Sequence, residues 1–230
     1  LFGPWKNGET VLNALLDAGQ EFDLVRVGSR AYSSANLESA WVPSPTPAIF
    51  TGKGSEDYLK WLPATRLGSL AGSFDSENIE DYYVSPYELG YGRTVKFDHD
   101  FIGREALEAL DPEQERVKVS LIWNSEDVAA IQRSAYEEAL PAKFLEFPKA
   151  RYGQHQVDRV VVGDKNVGQS HDVGYSVNEQ VFMSLAGLDP ELAQEGQELT
   201  VLWGEAPNTA KPSVERPPRV PGRPPVAPAP

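Results

Sequence analysis

VDRVVVGDKNVGQS, at residues 157–170, predicts two β-strands and the tight turn that joins them. The valine-rich run at 157–162 is typical of a strand, because β-branched side chains pack well on a pleated, half-buried surface. The four residues Gly163–Asn166 that follow are of the types that favour a hairpin turn. This stretch therefore predicts an antiparallel hairpin.

Further short strands flank this hairpin on both sides. Val117, Val119, Leu121 and Trp123 alternate as in a strand, and Ser125 or Asp127 can cap a helix that runs to about Ala139. The other predicted strands are 144–147, 167–170, 175–177, 181–185 and 199–203. Many short strands with turns between them indicate a small barrel or sandwich.

The first half of the chain has a mixed pattern. The predicted elements are a helix at 8–19, a strand at 22–28, a helix or turn at 31–38, a proline-enforced extended segment at 43–47, a long loop with one helical turn at 51–76, a strand at 91–97, and a short helix at 102–110 capped by Asp100. Asp111 and Pro112 end that helix and begin a linker. A proline-rich tail follows from Ala206, where nine of the 19 prolines fall within 25 residues.

Composition narrows the classes of function. The net charge of −13 argues against a nucleic-acid partner, because such a partner needs a basic surface. The chain has no cysteine, which excludes disulfides and thiolate chemistry and is compatible with a cytoplasmic protein. No apolar run reaches the roughly 18 residues of a membrane span, so no membrane association is expected. The opening residues LFGP resemble the end of a strand and predict a fragment whose upstream part is missing.

No motif for a metal or a nucleophile is recognisable. The three histidines are far apart in the sequence, and consecutive residues 98–100 would point to opposite faces of a strand, so no metal site is predicted. The serine nucleophile motif G-x-S-x-G is missing too.

Two features could hold a ligand. Glu38 lies among apolar neighbours and needs a partner, which could be a salt bridge to Arg26 or Arg30 or a ligand with two parallel N–H donors such as a pterin. Four tyrosines fall within the ten positions 82–91 and could pack between domains or line a pocket for an aromatic ligand. A tyrosine and a departing phenol have similar pKa values near 10, which suits general-acid catalysis.

Several motifs resemble the glycine-cleavage T-protein (aminomethyltransferase) family, and within it the tetrahydrofolate-dependent aryl O-demethylases that act on vanillate, syringate or 3-O-methylgallate. The motifs are VGSRAYSSANLE at 27–38, SPYELGYGRTVK at 85–96, DFIGREAL at 100–107, VGQSHDVGYSVNE at 167–179 and VLWGE at 201–205. The resemblance implies an α+β protein in which the C-terminal part of a folate-binding domain (1–111) precedes a C-terminal β-barrel (112–205) and an extended tail (206–230).

The resemblance also implies a reaction and a site. A methyl group would move from an aryl methyl ether to tetrahydrofolate, with Glu38 and Tyr91 against the folate and Tyr82, or alternatively Tyr83, as the catalytic tyrosine. Tyr32, Ser33 and Asn36 replace the Arg, Asp and Arg of the T-protein motif, which argues against glycine cleavage. The alternatives are an enzyme for an amine or sulfonium substrate and a non-catalytic folate-binding module. In either enzyme, the N-terminal half of the family's fold would be a further partner that supplies much of the substrate pocket.

Overall fold

The structure is a computed structural model that describes residues 2–62, 66 and 68–205. The predicted proline-rich tail lies outside the described residues. The chain divides into two compact units, one up to Tyr32 and the other from Ser33 onward. The predicted domain boundary near residue 111 stays a prediction.

The first unit is helical. A 3-10 turn at Trp5–Asn7 leads into helix α1, Gly8–Gly19, and a second 3-10 turn at Gln20–Phe22 follows. The strand predicted at 22–28 is wrong, because no strand among the described residues includes this segment. Alternating sequence makes a strand only where another strand offers backbone hydrogen bonds. Here the chain instead turns at Asp23, whose φ is 52°.

Helix α2, Ser29–Glu38, begins at the end of the first unit, so the segment predicted as helix or turn is a helix. The described part of the second unit contains three more α-helices: α3 (Glu56–Trp61), α4 (Arg104–Glu108) and α5 (Ser125–Ser134). Helix α5 is capped by Asn124, whose side-chain oxygen accepts hydrogen bonds from the backbone N–H groups of Glu126 and Asp127 at 2.8 and 3.3 Å. The predicted caps at Ser125 and Asp127 are therefore wrong, by one and three positions respectively.

Strands β1 (Leu70–Ala71), β2 (Val117–Ile122), β3 (His155–Val162), β4 (Lys165–Ser176), β5 (Val181–Leu188) and β6 (Thr200–Val201) form one sheet in the order β1-β3-β4-β5-β2, with β6 also paired to β3. All pairs except β1–β3 are antiparallel. The α+β class is confirmed, but the closed barrel is not. The described sheet is open, because β1 and β2 lie at opposite ends of the strand order.

The predicted hairpin is confirmed. Val162 pairs with Lys165, and the two-residue turn has Gly163 at φ 59° in its first position, where a type II′ turn needs a positive φ. Strand β4 unites the two predicted strands at 167–170 and 175–177. It remains continuous across a bulge between His171 and Gly174, at which Asp172 adopts φ 51°.

Three other predicted elements differ from the structure. The strand predicted at 91–97 is a 3-10 turn at Gly92–Thr94, since the Tyr91 carbonyl accepts the Thr94 N–H at 2.8 Å. Helix α4 starts after Gly103, whose φ is 92°, so Asp100 is not its cap. The segment 144–147 is irregular.

The two faces of the sheet pack against different partners. Phe182 and Ala186 of β5 point to the face that carries Trp123, Val128 of α5 and other apolar residues. Met183 and Leu185 point to the opposite face and pack against Leu37 at the end of α2. We call this second face the ligand face, because the predicted site residues lie along it.

A buried polar network fixes the loop that follows β1. The carboxylate of Glu205 accepts the Gly72 N–H at 2.9 Å and pairs with the Lys143 ammonium at 2.5 Å. Asp158 accepts the Ser73 N–H at 2.9 Å. Gly72 has φ 104°, and a Cβ at this position would lie 2.1 Å from the Val157 carbonyl oxygen, so only glycine fits.

Candidate functional site

Glu38 stands at the C-terminal end of α2, which terminates in a Schellman motif. The Trp41 N–H donates to the Asn36 carbonyl at 2.8 Å, and the Ala40 N–H donates to the Leu37 carbonyl at 3.1 Å. Ala40 takes the left-handed conformation, with φ 53°. Leu37, which is 1% exposed, anchors this helix end on Met183 and Leu185.

The carboxylate of Glu38 is exposed but held in place by strand β4 and the turn after it. Ser176 Oγ donates to Oε1 at 2.7 Å and Asn178 Nδ2 donates to Oε2 at 2.8 Å. The hydrogen bond from Ser176, followed by that from Asn178, lowers the pKa of Glu38. Both partners are neutral, so they orient the carboxylate without cancelling its negative charge.

Tyr82 is buried in the core beside Leu70 and Val157, at the end of a 3-10 turn, Ile79–Tyr82. Its ring meets the ring of Phe74 edge-on at 4.9 Å. Its hydroxyl donates to the Phe74 carbonyl at 3.3 Å and accepts the Ser76 N–H at 3.2 Å. The phenol therefore fixes the loop after β1.

The other tyrosines of this segment are less buried. Tyr83 is half-buried, and its hydroxyl accepts a hydrogen bond from Thr51 Oγ1 at 3.4 Å. Tyr87 is half-buried, and Tyr91 is 43% exposed. The structure thus separates the two catalytic candidates: Tyr82 faces the protein interior, and Tyr83 lies nearer the surface.

The tyrosine segment, residues 79–91, is fastened to the ligand face at several points. Arg116 forms an ion pair with Glu88, Ser85 Oγ donates to Glu115 at 2.5 Å, and Gln169 Nε2 donates to the Asp81 carbonyl at 2.7 Å. These contacts hold the tyrosines against the same face on which the end of α2 rests.

Lys118 on β2 joins the two predicted parts of the site. Its ammonium donates to the Ala40 carbonyl and to the Leu89 carbonyl, each at 2.8 Å. It also lies 5.9 Å from the centre of the Tyr91 ring. The chain just after α2 and the tyrosine segment are thus attached to one side chain. Sequence reasoning missed this lysine, because a lysine in an alternating strand is typical of a solvent-facing position.

The proline segment, residues 42–47, borders two small cavities on the ligand face, and Val42 and His171 line both. One cavity contains the Lys149–Asp172 ion pair, at 2.5 Å, and the other contains Arg116 and Lys118. Burial, and then the nearby charge of Arg116, lowers the pKa of His171 to about 4. His171 is therefore neutral at pH 7.

Neither a metal site nor a membrane span is found in the described parts of the chain. Residues 2–62, 66 and 68–205 bring together no group of three or more metal-ligating side chains. The Asp98–His99 contact, at 2.8 Å, is an exposed pair of neighbours. None of the helices in these ranges has the length and apolar character needed to cross a bilayer.

Comparison with known proteins finds two enzymes that are similar to the chain. It is 47% identical over 220 residues to syringate O-demethylase from Sphingobium sp. strain SYK-6, an alignment that covers 94% of this chain and 47% of that enzyme. It is 33% identical over 219 residues to sesamin methylene transferase from Sinomonas sp. strain No.22, across 85% of this chain and 47% of that protein. No family model matches the chain.

These similarities confirm the relationship to aryl O-demethylases that the sequence motifs predicted. The chain spans about half the length of the curated relatives it matches.

Proposed function

We propose that the chain acts in a tetrahydrofolate-dependent methyltransferase that removes the methyl group of an aryl methyl ether resembling syringate. The observation that supports this most strongly is the 47% identity to syringate O-demethylase over nearly the whole chain. The C–O bond of the ether breaks, a C–N bond forms at N5 of the folate, and the N5 proton is balanced by the proton gained by the departing phenolate.

The residues at the end of α2 fit a folate. A reduced pterin presents parallel N–H donors, and a charged carboxylate can accept two of them at once. Glu38 is exposed, and Ser176 and Asn178 both orient its carboxylate and lower its pKa, which favours the charged form. Tyr91, 43% exposed and attached to the same lysine as this helix end, is the proposed aromatic contact to the folate.

Tyr83 is our proposed proton donor to the departing phenolate. A general acid must come within hydrogen-bond distance of the atom it protonates. The phenol of Tyr82 is buried and already makes two backbone hydrogen bonds, whereas that of Tyr83 is half-buried with a 3.4 Å contact to Thr51. Tyr82 is then a supporting residue that holds the loop after β1 and the backbone next to Tyr83.

A transfer of a methylene group is the second candidate function, and the similarity to sesamin methylene transferase favours it. In a methoxyarene and in a methylenedioxyarene alike, the carbon to be transferred is bonded to an aryl oxygen. Either reaction leaves a phenolate that needs a proton. An amine or sulfonium substrate would not need that proton, so these relatives favour an oxygen ether.

Residues 2–32 carry a surface that suggests the partner. Phe2, Trp5 and Val25 are 108%, 96% and 77% exposed, and Gly19 is the sole buried residue described in this unit. A 12-residue helix with its apolar side exposed is marginal in water. We propose that this surface packs against polypeptide equivalent to the half of the relatives that the alignment does not cover, within the same protein or as a separate chain.

The reaction is tested by incubating the protein that carries this chain with tetrahydrofolate and syringate, and separately with sesamin. The expected product from syringate is 5-methyltetrahydrofolate, measured by mass spectrometry together with the demethylated phenol. Methylene transfer from sesamin alone would support the second function. No one-carbon product from any methoxyarene or methylenedioxyarene would refute both.

Binding of tetrahydrofolate is tested by comparing two variants, each of which replaces one glutamate with glutamine. Glu38→Gln is expected to weaken tetrahydrofolate binding at least about tenfold, because a charge-assisted pair of hydrogen bonds is lost. Glu195→Gln is the control, since Glu195 is also exposed and lies in the loop before β6, outside both proposed parts of the site. Equal affinities of the two variants would exclude Glu38 from the folate site. Folate binding without turnover of any substrate would indicate the non-catalytic module.

A further inference from the structure

We propose, on the basis of the proposed function, that Lys118 is a positioning residue that couples folate binding at Glu38 to the tyrosine segment. Its ammonium donates one hydrogen bond to the chain after α2 and another to that segment, so a single side chain joins the two. The lysine is half-buried in β2 and paired with Gly187 of β5, so its backbone is held by the antiparallel pairing of these two strands.

The two carbonyl groups that Lys118 binds have the same structural origin. The Ala40 carbonyl follows the Schellman end of α2. The Leu89 carbonyl lies at the end of a turn in which the Tyr91 N–H donates to the Pro86 carbonyl at 2.8 Å. Helix and turn C-termini leave carbonyl groups without internal partners and favour a positive charge. One ammonium group satisfies both.

The backbone around Lys118 is shaped to admit it. Gly90 has φ 81°, and a Cβ at this position would lie 3.0 Å from both Cε and Nζ of Lys118. A larger residue at 90 would press on the lysine as well as adopt a strained backbone. The turn therefore presents the Leu89 carbonyl to the ammonium at close range.

The coupling follows from how near the two carbonyls lie to the proposed ligand contacts. Ala40 is two residues after Glu38, and Leu89 is two residues before Tyr91. A ligand that requires both contacts binds a conformation in which both segments are in place. If that conformation becomes less populated, the apparent affinity falls by the same fraction. Removing the lysine frees both segments at once.

The experiment compares Lys118→Met, Lys118→Arg and Lys165→Met with the unchanged protein. Lys165 is the matched control because its side chain is 76% exposed. Two quantities are measured: the tetrahydrofolate dissociation constant by anaerobic calorimetry, and the fluorine NMR resonance of a fluorotyrosine placed at position 91. Circular dichroism checks folding. If Lys118→Met does not fold, Lys118→Gln, with a shorter uncharged amide, replaces it.

In the unchanged protein and in Lys165→Met, folate is expected to bind and to shift the resonance at position 91. In Lys118→Met, binding is expected to weaken about tenfold and the resonance at position 91 to respond only at correspondingly higher folate concentrations, because the competent state is depopulated. Lys118→Arg, which keeps the charge and donors, is expected to bind within about threefold of the unchanged protein.

A merely structural lysine would lower stability and leave folate affinity and the folate-free resonance at position 91 unchanged. Unchanged folate affinity in a folded Lys118→Met, or a folate-free resonance at position 91 identical to that of the unchanged protein, therefore overturns the inference. Failure of the unchanged protein to bind folate is a different result, because it refutes the proposed function and the coupling falls with it.

Discussion

Replacing His171 with glutamine is predicted to reduce the acid sensitivity of the folded chain. Burial, and then the charge of Arg116, lowers the pKa of His171 from 6.5 to about 4. Between these two values the unfolded chain binds a proton at this residue and the folded chain does not. The free energy of unfolding therefore decreases as the pH falls from 6.5 to about 4. Below about pH 4 the protonation of His171 causes no further decrease.

The size of the effect follows from the width of the window. At about 1.4 kcal/mol per pH unit, a pKa lowered from 6.5 to about 4 corresponds to about 3 kcal/mol of unfolding free energy lost between pH 7 and pH 4. For a protein of this size that is about 6–12 °C in melting temperature. The His171→Gln variant cannot bind a proton at this position, so this contribution to the loss of unfolding free energy should be absent from it.

Other ionisable side chains line the same two cavities: Lys149, Arg151, His155 and Asp172 in one, and Glu88, Arg116 and Lys118 in the other. They are present in both proteins, so the difference between the two pH profiles isolates His171. Denaturant unfolding at several pH values gives the profiles, and NMR of the imidazole ring gives the pKa directly. An imidazole that titrates near 6.5, or identical acid losses in both proteins, would refute the reasoning.

Three further predictions concern stability and charge. Ser176→Ala should raise the pKa of Glu38 toward its ordinary value, because the main hydrogen bond that lowers it is removed, and carboxyl carbon NMR would show the change. Tyr82→Phe should cost about 1–3 kcal/mol in urea unfolding, since it leaves the carbonyl of Phe74 and the N–H of Ser76, both half-buried residues, without their hydroxyl partner. Tyr83→Phe should cost less, and equal costs would contradict the difference in burial between the two tyrosines. Gly72→Ala should cost at least about 2 kcal/mol, because its Cβ would collide with the Val157 carbonyl at a positive φ, and an unchanged melting temperature would contradict that geometry.

The local sequence was sufficient to predict those elements of the fold that depend on contacts between residues close together in the chain. The hairpin around Gly163 was predicted because its strands and turn are contiguous and each favours the same conformation. The segment 22–28 has equally good alternation and forms no strand, because pairing needs a second strand that the local sequence does not reveal. Closure of a barrel could not be judged from strand count either, since it depends on whether the first and last strands in the sheet meet.

The candidate site was predictable only in part. Glu38 was singled out by its apolar neighbours and by the motif that contains it, but its partner Ser176 is 138 residues away in the sequence. Lys118 contacts Ala40 across 78 residues. Tyr82 and Tyr83 are adjacent in the sequence and have the same side chain. In the structure Tyr82, the last residue of the 3-10 turn Ile79–Tyr82, is the one that faces the protein interior. That choice is made by packing against Leu70 and Val157, which a sequence reading does not provide.

The pairing of Glu205 with Lys143 and with the Gly72 N–H sets a limit on where the chain can be shortened. Strand β6 ends at Val201, so a chain truncated directly after this residue would still contain all six described strands of the sheet. The truncation would remove the carboxylate that neutralises a lysine whose side chain is 7% exposed, and it would release the loop on which Tyr82 rests. A version of this protein designed for crystallisation or binding studies should therefore retain Glu205. This residue helps to set the geometry of the loop after β1, which lies more than 100 residues earlier in the chain.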